Sequence, residues 1–72
     1  MAYLDIERLF TYHPPQGDQA ERYGKLRDAA KAYAKTIVAL SPESAEQTLA
    51  LRHVQEAAMM ANAAIAVNEV RD

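Results

Sequence analysis

Apolar residues recur at helical spacing through most of this chain. Tyr23, Leu26, Ala30, Tyr33, Ile37 and Leu40 follow one another at intervals of three and four. That spacing puts them on one stripe of a helix of about 22 residues, roughly 33 Å long. Further on, Leu51, Val54, Ala58, Ala61 and Ile65 form a heptad-like seam, and Ala50, Ala57, Met60 and Ala64 form a second beside it. One seam can face the earlier helix in a hairpin. The other is left without an intramolecular partner. Between Ala57 and Val67 the only polar residue is Asn62. A helix apolar on every side must be buried all round, and a chain this short has too little else to wrap it. The pattern predicts burial against further copies of the same chain.

Punctuation sets the boundaries. Leu4, Ile6, Leu9 and Phe10 fit a short N-terminal helix or turn that ends before Tyr12-His13-Pro14-Pro15-Gln16-Gly17. His13 precedes proline and is held toward extended geometry, so this segment reads as a rigid loop able to position side chains. Asp18 and Glu21 have capping-box spacing at the start of the second helix. Ser41-Pro42-Glu43-Ser44 breaks that helix, with Ser41 expected as the next N-cap and Pro42 as the first helical residue. The third helix should run to about Asn68. Fifteen alanines and two glycines agree with helix almost throughout, and no segment shows the alternation of a half-buried strand. The expected architecture is all-α: a single domain over residues 1–72, with a short N-terminal helix and a long antiparallel helical hairpin assembled as a compact homo-oligomer.

Composition narrows the partners. A 72-residue chain has a marginal core of its own and needs a disulfide, a metal or association to be stable. There is no cysteine, and no second ligand stands at metal spacing from His13 or His53. Association is what remains, and no cofactor is implied. The acidic start of the chain lacks a signal-peptide pattern, and no apolar run reaches the roughly 18 residues of a membrane span. A cytoplasmic protein without a membrane partner is therefore expected. The net charge of −2 disfavours polymeric nucleic acid. Yet five of the eight basic residues, Arg22, Lys25, Arg27, Lys31 and Lys35, cluster in one stretch. Such a local cationic face suits a small anion; its plainer alternative is a solvated helix surface. Enzymatic function has little to stand on. The two histidines are isolated, no paired carboxylates lie at a plausible cleft, and no glycine-rich phosphate loop exists.

Several segments taken together carry a resemblance. Phe10-Thr11-Tyr12-His13-Pro14-Pro15, then Leu26-Arg27, then residues 42–51 beginning Pro42-Glu43-Ser44, and finally Ala61-Asn62-Ala63-Ala64-Ile65-Ala66 occur in this order. In order and spacing they resemble the phage anti-CBASS cyclic-nucleotide sponges, whose helical hairpin is shared with anti-Thoeris sponges. The resemblance spans about Phe10 to Asn68, and each short motif alone is weak. It implies a host-cytoplasmic anti-defence protein that sequesters cyclic oligonucleotide second messengers without cleaving them. It also implies a homohexamer whose pockets are shared between protomers, with separate pockets for cyclic dinucleotides and trinucleotides. Relatives often carry tryptophan where this chain has Met60 and a basic residue where it has Val67. The second departure removes a possible phosphate contact and counts against a trinucleotide pocket.

Such a ligand needs cations for its phosphates and aromatic faces for its bases. Tyr12 resembles the family's ligand-contacting tyrosine, the alternative being a tyrosine that caps the hairpin. Arg27 resembles its basic phosphate contact, the alternative being a solvated arginine or an ion pair with Asp28 or Glu21. Lys31 lies one turn further on the same face, with Lys25 and Arg22 flanking it. His13 can stack on a base, bond a phosphate or only hold the loop. Tyr23 and Tyr33 fall on the apolar stripe and are expected in the core. Asn62 reads either as part of a polar network between helices or as a contact to a base edge. The competing function is a structural or adaptor protein whose apolar seam binds a partner helix.

Overall fold

The computed structural model describes residues 6–10, 12 and 14–69. Leu4 and His13 are outside that set. Three helices follow in order: α1 Ile6–Phe10, α2 Gln19–Leu40 and α3 Ala45–Asn68. The described residues contain no strand. α2 and α3 pack along each other. The link over residues 41–44 is too short for anything but an antiparallel return.

The entry to α2 corrects the expected capping box. Asp18 stands at the N-cap position without a side-chain capping bond. Its carboxylate is drawn instead to Arg22, with Oδ1 3.2 Å from Nε, while Glu21 pairs with Lys25 at 3.2 Å. The chain arrives at α2 through a turn closed by Gln19 N–H donating to Gln16 O at 3.0 Å. Gly17 occupies the left-handed region there, with φ 56°, a conformation that costs glycine little.

The expected start of α3 is also corrected. Ser41 ends α2: its backbone N–H donates to Ile37 O at 3.0 Å, and its hydroxyl donates to the same carbonyl. Ser44 is the N-cap of α3, its Oγ accepting from Gln47 N–H at 3.1 Å. The Gln47 side chain turns back, donating from Nε2 to Ser41 O at 2.9 Å and to Ser41 Oγ at 3.1 Å. Two serines thus serve two helix ends, and Pro42 sits between them, where its missing N–H costs nothing.

Packing within one chain is incomplete. The seam Leu51, Val54, Ala58, Ala61 and Ile65 is half-buried, whereas Ala57, Met60 and Ala64 of the second seam are exposed. Among the described residues no hydrophobic side chain is buried; Gln19 is the one buried residue. Tyr33, expected in the core, is 60% exposed. It stands at the mouth of an apolar groove with Leu26, Ala29, Ala50 and Ala57. The molecule measures 47 × 26 × 16 Å, with a radius of gyration of 15.1 Å. A compact domain of this length would have about 11 Å. The shortest dimension is little more than one helix diameter, so α2 and α3 form a single layer, and among the described residues the second seam of α3 stays exposed.

Candidate functional site

Asn62 stands where two grooves meet. On one side it joins Tyr12, Tyr23, Leu9, Pro15 and Val67 in a mostly apolar groove of about 590 Å³. On the other it joins Arg27, Lys31, Gln55 and Met59 in a groove of about 320 Å³. Both volumes fall in the range of small-ligand pockets. One asparagine therefore forms part of the wall of an aromatic groove and of a cationic one.

Each wall follows from local structure. Tyr12 lies between α1 and α2, just ahead of Pro14 and Pro15, and is 80% exposed. Tyr23 is on the first turns of α2, half-buried, and serves as a groove wall more than as a core residue. Arg27 and Lys31 follow on α2 four residues apart, hence on one face. Among the described residues neither has a carboxylate within ion-pair distance. The pairing with Asp28 or Glu21 considered for Arg27 does not form. Gly24 lies one turn before Arg27, and a Cβ placed there would be 3.6 Å from Arg27 Nη2. The guanidinium thus folds back over the bare glycine surface.

Asn62 Oδ1 is buried and accepts no hydrogen bond from the described residues. The polar network that is one reading of Asn62 is not formed among the described residues. By contrast Asn68, six residues on, bonds back along its own helix, Nδ2 donating to Ala64 O at 3.0 Å. A buried acceptor left unpaired costs about 1–3 kcal/mol, so a single hairpin leaves this position unfinished.

The candidate residues thus separate into sets. Tyr12 and Asn62 share one groove, and Arg27, Lys31 and Asn62 share the other. Lys25 lines neither of these two grooves and pairs with Glu21. His13 is outside the described residues. Val67 forms part of the wall of the Tyr12 groove, so the departure at that position falls beside the aromatic site.

A polar cluster that sequence reasoning missed closes the open end of the hairpin. Arg22 donates to Glu69 twice, through Nη1 to Oε2 at 2.9 Å and through Nη2 to Oε1. Gln19 donates from Nε2 to Glu69 O at 3.5 Å and to Glu69 Oε1 at 3.4 Å. Gln19 Oε1 accepts from Gln16 N–H at 2.9 Å. The hydrogen bonds to Glu69 raise the Arg22 guanidinium above its ordinary range, with Asp18 adding to the effect. The clue was available only through topology. The start of α2 and the end of α3 meet once the helices are taken as antiparallel.

Among the described residues no His, Cys, Asp and Glu side chains are grouped as a metal site, and no helix is long and apolar enough to cross a membrane. Residues 3–66 match the family described as the Acb2/Tad1 hairpin domain. Comparison with curated proteins and with solved structures gives no match.

Proposed function

The chain belongs to the Acb2/Tad1 hairpin family, the anti-CBASS and anti-Thoeris sponges, and on that premise we propose that it binds cyclic dinucleotides and sequesters them without turnover. The observation that carries this reading is the pair of grooves meeting at Asn62. A base stacks in the Tyr12 groove, where an aromatic face is on offer. A phosphate lies against Arg27 and Lys31, which have no competing carboxylate among the described residues. The ligand class fits that separation of aromatic and cationic surface, because it alternates flat bases with charged phosphates. By removing the messenger, a phage protein of this kind would keep CBASS effectors inactive.

The working form is a homo-oligomer, a hexamer by analogy with the family. Support comes from the second apolar seam, whose Ala57, Met60 and Ala64 the single chain leaves in water, and from the unpaired Asn62 acceptor. Close approach of further copies would cover both.

The test is a titration against a panel of cyclic di- and trinucleotides, followed by denaturation and chromatography of the released ligand. Stoichiometric uptake with intact ligand is expected. Linearised nucleotide would mean a nuclease instead. A chain that takes up none of the panel would return the adaptor reading, in which the groove beside Tyr33 holds a partner helix. The panel also tests Val67. If the native chain already binds trinucleotides tightly, the loss of a basic residue there is without consequence; otherwise Val67→Arg should restore that binding.

A further inference from the structure

Resting on the dinucleotide reading, we infer that Glu69, with Arg22 and Gln19, forms a clasp that positions the Tyr12 loop for ligand. These three residues line neither of the two grooves. Glu69 also lies beyond the stretch matched to the family, residues 3–66.

Glu69 is the residue directly after α3. Its carboxylate takes both Nη atoms of Arg22, a planar two-point pairing that holds orientation as well as distance. Gln19 adds its Nε2 contacts to the same residue. Gln19 is 4% exposed, the one buried residue among those described, so this amide is placed and not merely adjacent. Its other atom, Oε1, holds the backbone N–H of Gln16 at 2.9 Å. Gln16 O in turn receives Gln19 N–H at 3.0 Å. The loop end is therefore tied to Gln19 by two bonds, and Gln19 is tied to the end of α3.

Pro14 and Pro15, each with its φ locked by its ring, lead from this anchored turn to His13 and Tyr12. Two of the three residues between Gln16 and Tyr12 therefore have a fixed φ, which narrows where Tyr12 can lie once Gln16 is held. Pro15 itself lines the Tyr12 groove, as do Tyr23 beside Arg22 and Val67 two residues before Glu69. The clasp thus stands at the end of the aromatic groove and sets where its loop wall lies relative to its α3 wall. Without it, the loop would lose a hold that keeps Tyr12 in the same groove as Tyr23 and Asn62. Positioning of this kind lowers the cost of ordering the loop when a base arrives.

A double-mutant cycle decides the matter. Glu69→Gln keeps the shape and an oxygen for Gln19 but loses the charge that pairs Arg22. Calorimetry with a cyclic dinucleotide that the parent binds is run on the parent, Glu69→Gln, Tyr12→Ala and the double variant. Size and helicity are measured alongside. Residues acting through one another show coupling. Glu69→Gln should weaken binding about fivefold or more in the parent background and about twofold or less once Tyr12 is gone, the difference being the coupling. Equal weakening in both backgrounds would make Glu69 a residue of general stability and overturn the inference. So would unchanged affinity in Glu69→Gln. Gln19→Met is the second variant. It removes the side-chain bond to Gln16 N–H and the contacts to Glu69 while leaving the backbone bond to Gln16 O and the Arg22–Glu69 pair, and it should show the same dependence on Tyr12. Failure of the parent to bind any cyclic dinucleotide would overturn the sponge reading itself, and that result is distinct from either of the others.

Discussion

Three side chains, Tyr12, Arg27 and Asn62, concentrate the proposed binding. Tyr12 is exposed and belongs to no helix, so replacing it should leave the fold alone while removing a stacking face worth about 1–3 kcal/mol. Arg27 has no carboxylate partner among the described residues, and losing its charge-assisted phosphate bonds should cost about 1.5–3 kcal/mol. Tyr12→Ala and Arg27→Ala should each weaken dinucleotide binding roughly ten- to a hundredfold at 1.4 kcal/mol per decade. Arg27→Lys should recover only part of the loss, because an ammonium lacks the planar fork. Calorimetry, with particle size checked in parallel, measures this. Parent-like affinity in both alanine variants would move the site elsewhere. Lys25 supplies a contrast on the same helix. It is paired with Glu21 and lines neither groove, so Lys25→Ala should change affinity by less than about threefold, the scale of an exposed pair.

At the scale of the elements, the hairpin depends on how its short link satisfies two helix ends. Ser44 caps α3 through the Gln47 N–H. Ser44→Ala should destabilise the fold by about 1 kcal/mol, lowering the melting temperature by about 4–8 °C for a domain of this size. The comparison belongs at one fixed protein concentration, because association shifts apparent stability. Thr36 is the control. Its exposed hydroxyl only donates back along its own helix to Ala32 O at 3.0 Å. Thr36→Ala should therefore be neutral or slightly stabilising. Thermal unfolding followed by circular dichroism separates the two, and an equal loss in both variants would contradict the cap assignment.

For the whole molecule, the deciding fact is the want of a core. None of the described hydrophobic side chains is buried within one chain, and Met60 is 68% exposed in the middle of an alanine-rich helix. Self-association is the expected remedy. Light scattering at micromolar concentration should give a mass several times the 8.0 kDa of one chain. Ala64→Glu should reduce that mass, because a close helix contact accepts neither the added volume nor an unpaired charge. A native chain that stays monomeric and folded under these conditions would remove the oligomer from the proposal. Ala64→Glu with undiminished mass would show instead that the second seam is not the contact.

The amino-acid order alone determined the helices, because their signals are local. Spacing of three and four defines the stripes, and proline, glycine and serine mark the breaks. It also placed one α3 seam against α2 and left the other bare, since a hairpin of two helices can cover only so much surface. Tyr12, Arg27 and Asn62 were legible as candidates through residue chemistry and order along the chain. Tertiary structure decided what depends on approach between distant residues. Local backbone geometry, left open by spacing alone, gave the capping of α3 to Ser44 and turned Asp18 toward Arg22, because each carboxylate and hydroxyl takes the partner that geometry offers nearest; contacts between distant residues decided the rest. Tertiary structure set Asn62 between an aromatic and a cationic groove, with its acceptor unpaired. It brought Gln19 and Arg22 onto Glu69, about fifty residues away in sequence. Sequence spacing carries no signal for that clasp, because the hydrogen bonds form only after antiparallel packing has returned the chain to its starting end.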